Sequence, residues 1–194
     1  MFISALQPAI FLDRDGVIVE NRPDYVKTID EVQMIPGVLE ALAQAARRPW
    51  LFVVVTNQSA VGRGLLAVPT LAAINTHIHQ LIVAAGGRID GWYSCPHLPE
   101  AGCDCRKPRP GLLRSAADDL PIDLPASVMI GDALSDVLAG RAAGAQAILV
   151  RTGRGRQQAA ELHQAGLDGV PVTADLAAAL ELVAADPAFT KTPP

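Results

Sequence analysis

Ala9-Ile10-Phe11-Leu12-Asp13-Arg14-Asp15-Gly16-Val17-Ile18 joins an apolar run of strand character to two carboxylates, one residue apart, and then to a glycine. Gly16 permits a sharp backbone turn at the strand end. In a strand, where side chains alternate between faces, Asp13 and Asp15 would point the same way. Two carboxylates held together repel, so the pair needs a cation between them or a proton on one. That suits a Mg²⁺ site, or a nucleophile with an acid beside it. The plain alternative is an Asp that caps the turn after a strand. The rest of the chain decides between them.

Working outward, residues 9–13 read as a first strand and residues 19–35 as a long polar loop beside its end. Pro36-Gly37 opens a helix whose apolar positions Val38, Leu39, Leu42, Ala45 and Ala46 recur at helical spacing until Pro49. Leu51-Phe52-Val53-Val54-Val55 is a continuous apolar run, the signature of a strand buried on both faces of a parallel sheet. A polar turn, Thr56-Asn57-Gln58-Ser59, follows it. Pro69 starts a helix through about Ala85, and Ile89 to Ser94 reads as a third strand. Residues 95–109 form an irregular Cys/His/Pro segment, and Pro110 to Leu120 a helix with Pro in its first turn. Ser127 to Ile130 is a fourth strand ending in Gly131-Asp132. Ser135 is positioned to cap a helix through Ala143. Ala147 to Val150 is a fifth strand. Helices are expected over 156–165 and 174–185, with Val170-Pro171-Val172 as a short edge strand between them.

Strands alternating with helices of ten or more residues predict a doubly wound α/β domain with a mainly parallel sheet. The expected layout is one domain over 1–194, with a catalytic core about 9–185, a separate loop at 95–109 and a loose tail over 186–194. The order of the strands cannot be read from the period. Ligands of such sheets sit at the carboxyl ends of the strands.

Half of the 194 residues are apolar and 19% are charged, as in ordinary globular proteins. The formal net charge is −4 and no basic block occurs, which argues against nucleic acid as a partner. No apolar run reaches the roughly 18 residues of a membrane span. Residues 1–8 show no secretory leader, so a cytoplasmic monomer is the expectation. The three cysteines fall within eleven residues, which does not make a disulfide framework.

Three polar stations follow the first. Thr56-Asn57 offers a hydroxyl and amides after the second strand. Lys107, in Arg106-Lys107-Pro108-Arg109-Pro110, is a cation flanked by prolines. Asp132 ends the fourth strand, with Asp136 four residues on. Each alone reads as a cap or a solvated charge. Together they meet the needs of phosphoryl transfer, which wants a nucleophile, a metal, hydroxyl or amide donors and a cation on the phosphate oxygens.

Asp-Arg-Asp-Gly, Thr-Asn-Gln, the Lys of Arg-Lys-Pro and Gly-Asp-x-x-x-Asp resemble the four motifs of the haloacid dehalogenase superfamily of phosphatases, over roughly residues 9–153. The resemblance implies that Asp13 is the nucleophile and forms an aspartyl-phosphate. It implies that Asp15 protonates the leaving alcohol and then activates water. Thr56 and Lys107 would hold phosphate oxygens and stabilise the transition state. Mg²⁺ would be bound by Asp13, the backbone carbonyl of Asp15 and Asp132, with Asp136 as a supporting carboxylate or a ligand through water. Val17 departs from the pattern, since the superfamily commonly has Thr there.

Cys95-Pro96-His97 and Cys103-Asp104-Cys105 place four soft or borderline ligands in two close pairs. That fits a structural, tetrahedral Zn²⁺ with no open position. Buried free thiols with an incidental His are the alternative. Lys107 follows Cys105 by two residues, so zinc would fix the loop that carries it. His77, His79 and His163 read as packed or solvated helix positions. The zinc loop narrows the resemblance to the heptose 1,7-bisphosphate 7-phosphatase family, which is similar to the histidinol-phosphate phosphatase domain. A phosphorylated sugar is then the implied substrate. Asn57, Arg63 and Arg106, with Arg109, are expected substrate contacts, the arginines facing a second phosphate. Ala133 stands where some heptose enzymes carry Lys. Competing readings are histidinol-phosphate phosphatase, for which Glu100 and Asp104 supply acidic partners, a polynucleotide 3′-phosphatase, and a non-catalytic zinc-stabilised binding module.

Overall fold

A computed structural model describes residues 5–186. Six strands form one parallel sheet: β1 (Ala9–Leu12), β2 (Leu51–Asn57), β3 (Gly91–Cys95), β4 (Val128–Gly131), β5 (Gln146–Val150) and β6 (Val172–Thr173), in the order β3-β2-β1-β4-β5-β6. Seven α-helices accompany them among the described residues: α1 (Val38–Ala45), α2 (Ser59–Gly62), α3 (Val68–Ala84), α4 (Gly111–Asp119), α5 (Leu134–Ala142), α6 (Gly155–Gln164) and α7 (Leu176–Ala185). No described helix is long and apolar enough to cross a membrane.

The period-2 alternation divides each central strand between two cores. Ile10, Leu12, Phe52, Val54 and Ile130 face one way, onto the apolar sides of α1, α3 and α7. Ala9, Phe11, Val53, Val55 and Met129 face the other way, onto Leu112, Leu113 and Ala116 of α4 and Ala139 of α5. A smaller cluster joins Leu149 to Leu162 of α6 and Val137 of α5. Burial on both faces is why β1, β2 and β5 read as unbroken apolar runs.

The chain winds outward from β1 through β2 to β3, crosses back, and winds the other way from β4 to β6. The reversal lies between β1 and β4, where Phe11 pairs with Met129 and Leu12 with Ile130. A crevice at the carboxyl ends opens at such a point, and Asp13 and Asp132 leave the sheet on either side of it.

Several boundaries differ from the sequence expectation. β1 stops at Leu12, so strand alternation does not govern how Asp13 relates to Asp15. β2 runs through Thr56 and Asn57, because both pair with β3 (Thr56 with Ser94, Asn57 with Cys95). β3 starts at Gly91, two residues later than expected, since Asp90 turns back to bond the edge of β2 at Phe52. The residue that caps α5 is Ala133, and Ser135 lies inside the first turn. Ala133 has no side-chain oxygen to offer. Its own N–H is instead satisfied by Asp136 Oδ2 at 3.0 Å, one half of a capping box. Residue 186 is described, and the rest of the expected tail, 187–194, lies outside the described residues.

Candidate active site

Asp13, Asp15, Thr56, Asn57, Arg106, Lys107 and Asp136 line one cavity of about 590 Å³ at the carboxyl end of the sheet. The four stations seen in the sequence are therefore brought together. Asp132 stands beneath the cavity, fully buried.

Lys107 is the centre of the polar cluster. Its ammonium lies 3.1 Å from Asp13 Oδ1 and 2.7 Å from Asp136 Oδ1, and donates to the Val55 carbonyl at 2.8 Å. Its three protons thus face three acceptors. Burial alone would push this ammonium down, but the charges of Asp13 and Asp136 outweigh it and hold the group above the ordinary lysine value. Asp136 is opposite in balance. Burial pushes it up to about 7, with Lys107 opposing and Asp13 and Asp132 adding to the rise. Asp132 is also held above the usual carboxylate range, first by burial and then by Asp13. The cause is common: burial comes first, and the neighbouring carboxylates add to it.

Those three carboxylates, Asp13, Asp132 and Asp136, can each present an oxygen within 4.8 Å of the others. Hard oxygen donors at that separation fit Mg²⁺, whose ligands stand about 2.1 Å from the ion. The oxygens already engaged say which would serve. Asp13 Oδ1 accepts from the Arg14 N–H at 2.7 Å as well as facing Lys107, which leaves Oδ2 for chemistry. Asp136 has one oxygen on the α5 cap and the other against Lys107. Asp132 Oδ2 is boxed in: a Cβ at Gly16 (φ +88°) would lie 2.2 Å from it, and one at Gly153 (φ +53°) 2.3 Å. Arg154 meets both oxygens, its backbone N–H and Nε donating to Oδ2 at 2.8 and 3.4 Å and its Nη2 to Oδ1 at 3.2 Å. The carboxylate of Asp15 is not part of this cluster.

Asp15 is instead gripped by Arg14. The buried guanidinium reaches both Asp15 oxygens at 2.9–3.2 Å and is braced by Asn75 Oδ1 of α3 at 2.9 Å. Gln58 Nε2 bridges Asp15 Oδ2 (2.7 Å) and Thr56 Oγ1 (2.9 Å). Arg14, Asn75 and Gln58 were not singled out from the sequence.

Asn57 lines the cavity, but its amide is turned to the backbone of Lys107, donating to the carbonyl at 3.0 Å and accepting from the N–H at 3.1 Å. The structure thus gives it a positioning task at the cavity wall. Arg106 lines the cavity. Arg63 does not: it donates to the hydroxyl of Tyr25, which itself lines the wall. Arg109 turns to the Gly102 carbonyl and Asp104. Two arginines not named among the expected substrate contacts, Arg22 and Arg154, do line it. Arg154 follows β5, at the one central strand end the sequence survey left without a station.

Cys95 Sγ, His97 Nδ1, Cys103 Sγ and Cys105 Sγ cluster beside this cavity, with contacts of 3.2–3.6 Å. Four donors on a tetrahedron around zinc stand about 3.5–3.8 Å apart. The donor chemistry agrees: burial, then Cys95 and Cys103, push the Cys105 thiol up to about 12, so three thiolates here require a cation. Arg106 ties the loop back, donating to the His97 carbonyl at 3.4 Å.

Comparisons with known proteins place this arrangement among relatives. A family model described as HAD-hydrolase-like matches residues 104–179. The chain is 42% identical over 173 residues to the D-glycero-beta-D-manno-heptose-1,7-bisphosphate 7-phosphatase of Bordetella bronchiseptica, covering 89% of this chain and 95% of the relative. It is 42% identical over 148 residues to the enzyme of that name from Pseudomonas putida, covering 76% and 85%. The crystal structure of D,D-heptose 1,7-bisphosphate phosphatase from B. bronchiseptica, complexed with magnesium and phosphate, superposes with a TM-score of 0.85 at 41% identity. That match covers 92% of this chain and 98% of the other.

Proposed function

This chain belongs to the haloacid dehalogenase-like hydrolases, in the family of the heptose 1,7-bisphosphate 7-phosphatases, and on that premise we propose how its residues divide the work. It is a phosphatase, and the reaction we assign is hydrolysis of the 7-phosphate of D-glycero-D-manno-heptose 1,7-bisphosphate. The observation that carries the substrate is identity with enzymes of that name over nearly the whole length of both chains.

Asp13 Oδ2 attacks phosphorus, forming an aspartyl-phosphate as the bond to the sugar oxygen breaks. Asp15 delivers a proton to that oxygen, then takes one from the water that cleaves the aspartyl-phosphate and regenerates Asp13. The Thr56 hydroxyl accepts from Gln58, so its own proton is free for a phosphate oxygen. The Lys107 ammonium, held against Asp13, faces another. Mg²⁺ held by Asp13, the Asp15 carbonyl and Asp132 would offset charge on the phosphoryl group. Asp136 supports from behind by holding Lys107. Zn²⁺ on Cys95, His97, Cys103 and Cys105 would shape the loop that delivers Arg106 and Lys107. The working unit is proposed to be one monomeric domain with a phosphorylated sugar as its partner.

The histidinol-phosphate reading finds no support in the cavity. Glu100 and Asp104 do not line it, and Asp104 is paired with Arg109. A phosphate-release panel tests the assignment: both anomers of the heptose bisphosphate, fructose 1,6-bisphosphate, histidinol phosphate and a 3′-phosphorylated oligonucleotide. The heptose should be turned over fastest, and equal rates on histidinol phosphate would sink the specificity. Asp13→Asn should lower turnover by at least about a thousandfold. Substantial residual activity would refute its role as nucleophile.

A further inference from the structure

We propose that Asn75 of α3 is a positioning residue for proton transfer: by holding the buried guanidinium of Arg14, it sets the Asp15 carboxylate so that Oδ1 is the oxygen that exchanges the proton. The proposal rests on the assignment of Asp15 as the proton donor.

Arg14 stands between the two carboxylates of the first station, and its side chain is only 1% exposed. A guanidinium keeps its charge and is costly to bury unless that charge is paired. Asp15 supplies the pairing. Nε donates to Asp15 Oδ2 at 3.2 Å, and Nη2 reaches Oδ1 at 3.0 Å and Oδ2 at 2.9 Å. The two residues are neighbours on one turn, so on their own the paired side chains would be free to pivot together without losing a contact. The pivot is stopped from outside. Nη1, the remaining corner of the fork, donates at 2.9 Å to Asn75 Oδ1, which stands 61 residues away in the chain.

Asn75 is suited to be that fixed point. α3 buries Leu71, Ile74, Ile78 and Ile82 in the core, so the backbone of Asn75 is seated by the residue before it. The side chain is half-buried and lines a separate hollow with His79 and Trp92, outside the wall of the substrate cavity. Its influence on turnover therefore passes through Arg14.

The donors that meet Asp15 are unevenly shared. Oδ2 accepts from Arg14 Nε, Arg14 Nη2 and Gln58 Nε2, more donors than its lone pairs can fully serve. Oδ1 meets Arg14 Nη2. The proton is accordingly carried on Oδ1. It passes to the sugar oxygen as that oxygen's bond to phosphorus breaks. Oδ1 then takes a proton from the water whose oxygen bonds to the phosphorus of the aspartyl-phosphate. A swing of Arg14 would carry Oδ1 off this line, and a misplacement of about 1 Å costs up to about a hundredfold in rate.

The test compares wild type, Asn75→Ala, Asn75→Asp and Asp15→Asn, with Mg²⁺ present, on the fastest alkyl phosphate of the substrate panel and on para-nitrophenyl phosphate. Nitrophenolate leaves without a proton, so only the alkyl ester needs the acid before its bond to phosphorus breaks. Asn75→Ala should lower kcat and kcat/KM on the alkyl ester together by about tenfold, at unchanged KM, and leave kcat/KM on the aryl ester within about twofold. Asn75→Asp keeps an acceptor for Nη1 and should restore turnover of the alkyl ester. Asn75→Gln, which moves the acceptor by one methylene, should show the same split in smaller degree and serves if the Ala variant does not fold. Equal losses on the two esters are what a structural defect gives, and these, or an unchanged kcat on the alkyl ester, would overturn the positioning role. Should the wild type leave the aryl ester untouched, the kcat loss at constant KM and its recovery in Asn75→Asp decide. Asp15→Asn separates the two assignments: it should lose at least about a hundredfold in kcat/KM on the alkyl ester and far less on the aryl ester. Absence of that split in Asp15→Asn would remove the acid assignment itself.

Discussion

Asn57 and Lys107 are joined at two points. The Asn57 side-chain amide donates to the Lys107 carbonyl at 3.0 Å and accepts from its N–H at 3.1 Å. The pair links the end of β2 to the proline-flanked loop, fifty residues away in the chain. Without the clamp, nothing in β2 except the Val55 carbonyl reaches for Lys107, and the ammonium must be placed within a fraction of an ångström of Asp13.

From this, Asn57→Ala should lower kcat on the phosphorylated substrate by about 10- to 100-fold while KM changes little, because a mispositioned Lys107 weakens the transition state. Unfolding stability should fall by about 1–2 kcal/mol from the two lost hydrogen bonds. Steady-state kinetics and urea unfolding check both. A rise in KM with kcat retained would favour the substrate-contact reading.

The pH dependence of the magnesium-free protein should carry the mark of Asp136. Its folded value, about 7, lies above the ordinary 3.8, chiefly through burial. A carboxyl raised on folding contributes its full stability at low pH and loses it as pH rises through the folded value. Asp136→Asn cannot titrate, yet it keeps the size and the cap on Ala133. The stability of this variant relative to wild type should therefore grow between about pH 4 and pH 7, by on the order of 2–4 kcal/mol, and level off above. Urea unfolding at several pH values reads this directly. A constant difference would mean that Lys107 keeps Asp136 ionised throughout.

The residues legible in the sequence were those whose strand announced them. Asp13, Thr56 and Asp132 stand at the ends of apolar runs that burial on both faces made unmistakable, and Lys107 stands in a loop marked by prolines and cysteines. Arg14 was hidden because its pairing with the adjacent Asp15 depends on the turn after β1, which no period describes. Gln58 was hidden because a single amide serves two partners across a strand end. Arg154 had a signal, a cation in a Gly-rich turn just past the fifth strand. Arg63 and Arg109 were misplaced for a different reason. Charge and loop position favoured the cavity, while the local acceptors Tyr25 and Asp104 decided the orientation. The strand order, with β1 between β2 and β4, had no sequence signal at all.

Removing zinc should act on catalysis through position. The four ligands flank the segment that carries Arg106 and Lys107, and the Cys105 thiol is pushed to about 12 without a cation. Cys103→Ser should lose the metal, lower the melting temperature by several degrees, and cut turnover even with saturating Mg²⁺. Metal analysis should find one zinc per chain in the wild type, retained through exchange into magnesium buffer. A wild-type protein that is fully active with no bound zinc would end this reading.

Gln58, buried just behind the cavity, offers the sharpest separation of roles. Both protons of its Nε2 are engaged, one on Asp15 Oδ2 and one on Thr56 Oγ1. The first fixes the carboxylate assigned to proton transfer. The second obliges the Thr56 hydroxyl to accept, so that its own proton points to whatever anion enters. Gln58→Glu keeps the shape but removes both donated protons when ionised, and sets a second negative charge beside Asp15. Turnover should fall by about 10²-fold, because Asp15 is displaced and repelled and Thr56 no longer has a defined donor direction. Gln58→Met removes the hydrogen bonds without adding charge and should lose less, about tenfold. Gln58 is buried behind the cavity wall, so both variants should melt below the wild type, the Glu variant lower because its charge is buried. Comparing kcat for both at pH 6 and pH 8 isolates the electrostatic part: the Glu variant should recover some of its deficit at the lower pH, where its new carboxyl takes a proton, and the Met variant should not. Equal losses at both pH values would show that Gln58 acts by packing alone.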